Sequence, residues 1–151
     1  MISKFRAWHY ELGRMMALKF MWFQDDLIEE LELNDTVMND YITAYPDEIE
    51  LMLFTNTKDK NDKEIFEGDV LQIDYIKAIV RFGQYSYYDN AGKDVLTGNG
   101  FYLECLNVMD PDCISPYETD VLDKAEVIGN IYENPEYDQN FVGVRIEGKK
   151  R

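Results

Sequence analysis

The sequence predicts a mainly β chain with minor α, folded as a small partly open barrel behind an N-terminal β-hairpin and an acidic insertion. Three observations carry that expectation. Short runs of strand-forming residues alternate with Gly, Asn, Asp and Pro turns along most of the 151 residues. Aromatic residues make up 14% of the chain, with 11 Tyr and 8 Phe, and aromatics favour strands over helices. The stretch Leu51–Ile73, LMLFTNTKDKNDKEIFEGDVLQI, is laid out as a strand, a polar hairpin loop, a short second strand, a tight Glu67-Gly68-Asp69 turn and a third strand.

Residues 2–8, ISKFRAW, read as a first strand with Phe5 and Ala7 pointing inward and Lys4, Arg6 and Trp8 on the other face. His9 to Arg14 is a turn, in which His9 is an ordinary turn residue. Met15–Phe23 returns as a second strand. Its Met, Ala, Leu and Lys would also suit a helix, but the turn before it and the aromatic finish favour the strand. Phe20 to Thr57 contains no Lys or Arg, whereas Asp25, Asp26, Glu29, Glu30 and six further acids fall inside it, a lobe of strongly negative potential. Asp25-Asp26 would cap a short helix with Leu27, Ile28 and Leu31 on one side; an irregular strand is the alternative. Residues 37–45 are open in the same way, and Pro46 breaks whatever precedes it.

In the central stretch an Asx residue opens the loop at 59–62, and Asn61-Asp62 stands where positive φ is needed. Ile65 and Phe66 resume the apolar pattern, and Val70, Leu71 and Ile73 enter a core. Ile76–Phe82 is a strand that Gly83 ends. Residues 89–94 are a loop, Gly98-Asn99-Gly100 a second turn, and Phe101–Val108 a strand. Residues 109–123, with two prolines and five acids, are a surface excursion. Ala125–Tyr132 and Phe141–Ile146 are the closing strands, and Lys149-Lys150-Arg151 is a short basic tail. From Gly68 to Tyr132 the spacing is that of an SH3-like barrel. The expectation is a single domain over 1–151, with the hairpin and acidic segment in 1–50 and the β core in 51–147.

Three stretches recur together in one family. FTNTKDKNDKEIFEGDV is similar to the signature of the YopX-like family of small bacteriophage and prophage proteins, in which an aromatic-Thr-Gly opening, a DKNGK loop and an I-aromatic-EGD ending occur in that order. KFRAW at 4–8 resembles the family's opening, and VIGNIYENPE at 127–136 its closing stretch. Where the family carries glycines this chain has Asn56 and Asp62. Both residue types tolerate left-handed backbone, so the loop shape is expected to survive. The resemblance implies a YopX-like domain of phage or prophage origin and carries over no biochemical activity.

The formal charge of −15, with pI near 4.3, sets the chain against nucleic acid and anionic membranes and toward basic partners; a solubilising surface is the plainer reading. No apolar run is long enough to span a bilayer, and Met1–Trp8 lacks the features of a signal peptide, so the chain is expected in the cytoplasm of the bacterial host. Cys105 and Cys113 are then expected to be reduced.

No metal or cofactor is expected. There is one His, the two cysteines lack C-x-x-C spacing, and Asp59, Asn61 and Asp62 lack the Gly and terminal Glu of a calcium loop. No catalytic residue is assigned and the chain is not read as an enzyme. Glu67 and Asp69 are the best carboxylate pair, but the structural reading has Asp69 accepting backbone N–H bonds in the turn and Glu67 facing solvent. Tyr75, Tyr85, Tyr87 and Tyr88 are the candidate binding group: Tyr85 and Tyr87 share a face if the chain is extended there, suited to a peptide or a subunit interface. The functional expectation is a non-catalytic accessory protein acting through protein–protein contacts as a homo-oligomer. The alternative is a decoy whose acidic lobe (Asp25, Asp26, Glu29, Glu30) imitates nucleic-acid phosphate and occupies a basic host protein. An enzyme using Glu67 or Asp69 comes third. Direct nucleic-acid binding would require Lys58, Lys60, Lys63, Lys77 and Arg81 on one face.

Overall fold

The computed structural model describes residues 4–35, 37–88, 92–106, 114–118 and 122–138. The chain is mainly β, in two antiparallel sheets with no closed barrel among the described residues. It divides into two units, the first reaching Phe54 and the second beginning at Thr55.

In the first unit β1 (Phe5–His9), β2 (Arg14–Gln24), β3 (Leu27–Asp35), β4 (Asp40–Ala44) and the part of β5 (Ile49–Lys58) up to Phe54 lie in the order β4-β3-β2-β1-β5. Alternation decides which face is buried. Ala7, Met16, Leu31, Leu33, Ala44 and Ile49 form one cluster, with Leu18, Met21 and Ile28 packed against it. His9, expected as an ordinary turn residue, ends a strand instead. It closes β1, is buried, and its Nδ1 accepts the Leu12 N–H at 3.1 Å, so the imidazole ties the turn down.

The acidic segment holds no helix at Asp25-Asp26. These residues are the two central positions of a hairpin turn between the paired Gln24 and Leu27, with φ of 52° and 67°. Positive φ at both positions is what a type I′ turn requires, and Asp is among the few residues that adopt it. Helix-capping chemistry and left-handed tolerance belong to the same side chain, which is why the sequence reads both ways. At the far end of β3, buried Asp35 holds the next turn: its Oδ1 accepts the N–H groups of Val37 and Met38, and its Oδ2 meets Arg14 Nη1 at 3.0 Å.

In the second unit β6 (Glu64–Phe66) follows the hairpin loop. Then β7 (Asp69–Ile73), β8 (Ile76–Tyr88), β9 (Val95–Cys105), β10 (Ile114–Pro116) and β11 (Ala125–Asn130) form an open sheet of order β10-β9-β8-β7-β11. One face buries Ile65, Leu71, Ala78, Val80, Leu103, Cys105, Leu122 and Ala125; the other buries Val70, Ile79 and Ile131.

Two glycine signals read as turns lie inside strands. β8 runs through Gly83 to Tyr88, and β9 begins at Val95, before Gly98-Asn99-Gly100. Gly83 and Gly100 face each other across the ladder with φ of 145° and 138°, a backbone conformation that L side chains rarely adopt, and the register runs through the pair unbroken. Ile114–Pro116, expected in a surface excursion, is an edge strand on β9, where a proline's missing donor costs no ladder bond. β11 stops at Asn130 instead of Tyr132, because the Asn130 Oδ1 accepts the N–H groups of Tyr132 and Glu133 and turns the chain. The expected strand at 141–146, the basic tail, Cys113 and most of 107–121 lie outside the described residues.

Candidate functional site

The family-like stretches hold the turns. Asn56 and Asp62 have φ of 66° and 68°, as expected where glycines usually stand. Asp59 is buried; its Oδ1 accepts the N–H groups of Asn61 (2.8 Å) and Lys63 (2.9 Å), while its Oδ2 accepts that of Val127 (2.8 Å). Lys60 N–H adds a bond to the Ala125 carbonyl. Burial works against the Asp59 charge, but the bonds from Val127, Lys63 and Asn61 and the nearby Lys63 ammonium outweigh it and hold the carboxyl below its ordinary value.

In the Glu67-Gly68-Asp69 turn, Asp69 is 1% exposed and its Oδ2 accepts the Phe66 N–H at 2.8 Å. Glu67 is half-buried, further from solvent than expected. Gly68 donates to the Val80 carbonyl and accepts from the Ile131 N–H, so this turn also fastens β8 and the end of β11. Asp59 and Asp69 thus both accept backbone N–H groups within the turns they hold.

Of the four tyrosines singled out, the structure brings two together. Tyr85 and Tyr87 stack on one face of β8 with centroids 5.8 Å apart, and Tyr85 stacks on Tyr102 of β9 at 5.0 Å. Gly98, opposite Tyr85, makes this possible: a Cβ there would meet the Tyr85 ring. Tyr88 projects from the opposite face, and Tyr75 sits in the β7–β8 turn at the far end of the strand, 92% exposed. Tyr102 is the member the sequence reading missed. Its signal is alternation across Gly100, which the turn chemistry of Gly98-Asn99-Gly100 hides.

Below the ring stack, Arg81 meets Glu104 (Nε to Oε1, 2.8 Å) and Asp138 (Nη2 to Oδ2, 3.0 Å). Burial disfavours its charge, but the two carboxylates outweigh that and raise its pKa above the ordinary value. Arg81 is thus paired with two carboxylates, and Lys60 Nζ lies 3.8 Å from Glu126. On the opposite face Phe82 meets Phe101 edge-on at 4.9 Å, and Phe101 lies 6.0 Å from Tyr117. The Tyr117 hydroxyl reaches Thr57 Oγ1 (2.7 Å) and Thr55 Oγ1 (3.3 Å), and Thr55 donates to the Ile65 carbonyl. Burial pushes the Tyr117 phenol up, against the pull of the two threonines.

The acidic group does gather. Asp25 and Asp26 form the tip of the β2–β3 hairpin with Glu29 and Glu30 just behind, and a shallow open depression is lined by Gln24, Asp25, Leu27, Ile28 and Glu29. The surprise is its company. Phe20, Trp22, Phe23 and Leu27 on the same hairpin are all exposed. Among the described residues no group of three or more His, Cys, Asp or Glu is arranged to hold a metal ion, and no helix is long and apolar enough to cross a membrane.

The fold and site together define a small, mainly β protein whose motif residues fix turns and whose exposed aromatic side chains lie on hairpins. The family model described as YopX protein matches residues 4–137, and the chain belongs to the YopX family. Among solved structures, the crystal structure of protein EF1440 from Enterococcus faecalis is similar over 90% of this chain and 97% of that one, at 25% identity and a TM-score of 0.56. Comparison with curated proteins finds no match.

Proposed function

We propose that the chain is a non-catalytic accessory protein that works by protein–protein contact and assembles with copies of itself. The observation that carries this reading is the outer half of the β8–β9 hairpin. Phe82, Tyr88 and Val95 stand on one of its faces, 50%, 67% and 58% exposed, past the point where the core residues of the ladder end. Covering that face removes large apolar groups from water. YopX membership supports an accessory role in a phage or prophage setting. The order β10-β9-β8-β7-β11, with the last strand returning beside the first, supports an SH3-like reading of this unit. The buried thiol of Cys105 fits a reducing, cytoplasmic compartment. Light scattering after gel filtration tests the self-assembly: a multiple of the 17.8 kDa chain mass is expected, and a monomer at every concentration would reject it.

A second reading is favoured by the gathering of Asp25, Asp26, Glu29 and Glu30 at one hairpin end, within a segment that has no basic residue. There the lobe occupies a basic host protein in place of nucleic acid. Salt-sensitive capture of such proteins, lost when the four acids are neutralised, is the expected result; capture that survives neutralisation would reject this reading.

A further inference from the structure

We propose that the outer face of the β2–β3 ladder is a docking strip for an extended, arginine-bearing segment of a partner protein. The starting point is a register shift. Met16 and Leu18 point into the first unit's core, and strict alternation would send Phe20 and Trp22 after them. A bulge between Leu18 and Phe20 inserts Lys19 and reverses the sides: Met21 packs against the core opposite fully buried Leu31, while Phe20 and Trp22 face out. Two large rings, 57% and 46% exposed, are thereby held on a paired strand, their centroids 5.8 Å apart.

The same register supplies the recognition chemistry. Phe20 is directly opposite Glu32 and Trp22 directly opposite Glu30, and residues so paired project to one face. Each ring thus has a carboxylate beside it. Among the described residues no cation pairs with either acid. A guanidinium satisfies both groups at once, stacking its flat face on the ring and directing its N–H fork to the carboxylate, which a lysine ammonium does less well. Phe20 and Trp22 are two residues apart on a strand, roughly 6.6–6.8 Å, the spacing of alternate side chains on an extended partner. Phosphate-bearing partners are repelled. The inference rests on the acidic-lobe reading only for the sign of the partner's charge; it adds a side-chain type, a spacing and the two rings.

The test is fluorescence anisotropy with a labelled peptide carrying arginine at alternate positions (SRVRVRS) and its lysine counterpart (SKVKVKS), against the full-length chain. Saturable binding of the arginine peptide is expected, with the lysine peptide about tenfold weaker. Trp22→Leu and the pair Glu30→Gln with Glu32→Gln should each weaken the arginine peptide about tenfold. The pair Asp94→Asn with Asp123→Asn removes the same charge from exposed sites elsewhere and should change binding by less than about twofold. If Trp22→Leu lowers the melting temperature, the carboxylate pair and the peptide comparison decide. Equal binding of the two peptides, or an equal loss in the control pair, would reduce the effect to general attraction, overturning the strip while leaving the acidic lobe standing. No binding of either peptide would remove both.

Discussion

Asp59 Oδ2 accepts the backbone N–H of Val127 at 2.8 Å, across 68 positions of sequence. The other oxygen of the same carboxylate holds its own loop through Asn61 and Lys63. One buried acid therefore joins the two longest family-like stretches, the hairpin loop and the VIGNIYENPE segment at 127–136. The motif is a clasp.

That clasp should be acid-sensitive. The Asp59 carboxyl is held below its ordinary value of 3.8, so its contribution is fully present above the unfolded pKa and is lost as pH falls through the lower folded value. The melting temperature should fall on acidification below about pH 4, with part of that fall missing in Asp59→Asn. At neutral pH this variant should cost about 1–3 kcal/mol, since an amide cannot accept from three N–H groups as a carboxylate does. Identical pH profiles for variant and parent would contradict the assignment.

Asp62 holds φ of 68° in the loop that Asp59 closes. Asp62→Gly should stabilise by about 0.5–1 kcal/mol by removing the Cβ clash, and Asp62→Ala should destabilise. Denaturant unfolding measures both; a Gly variant with a lower midpoint would mean that the Asp62 side chain does more for the loop than its backbone strain costs.

Gly129 is required by a close approach. A Cβ there would lie 2.5 Å from Asn134 Oδ1, the atom that accepts the Asn130 N–H at 3.2 Å. Gly129→Ala should cost about 1–3 kcal/mol through the displaced Asn134 side chain, and adding Asn134→Ala should cost less than the sum of the two single changes. Strict additivity in the double-mutant cycle would show that the two positions do not meet.

The parts of this fold legible in the sequence are those that local chemistry decides. β5 to β7 with their turns could be read because each turn has its own residue chemistry, and Asn56 and Asp62 stood where left-handed backbone was needed. What failed depended on partners far along the chain. Gly83 signals a strand end when read alone, whereas its pairing with Gly100 carries the ladder on through it. Asp25-Asp26 suits a helix cap as well as a type I′ turn until Gln24 and Leu27 are known to pair. The site was half legible for the same reason. Tyr85 and Tyr87 follow from period-two alternation, whereas Tyr102 needs the β8–β9 register, and the outward turn of Phe20 and Trp22 needs the bulge at Lys19.

The reading of the chain as a self-assembling contact protein is tested most directly by its mass in solution, measured by light scattering over a range of concentrations, for the parent and for Tyr88→Ser combined with Val95→Ser. These two residues are paired at the outer end of the β8–β9 hairpin and are both exposed. The account predicts a multiple of 17.8 kDa for the parent and a folded 17.8 kDa monomer for the variant. A parent that stays at 17.8 kDa throughout, or a variant that keeps the parent's higher mass, would contradict it.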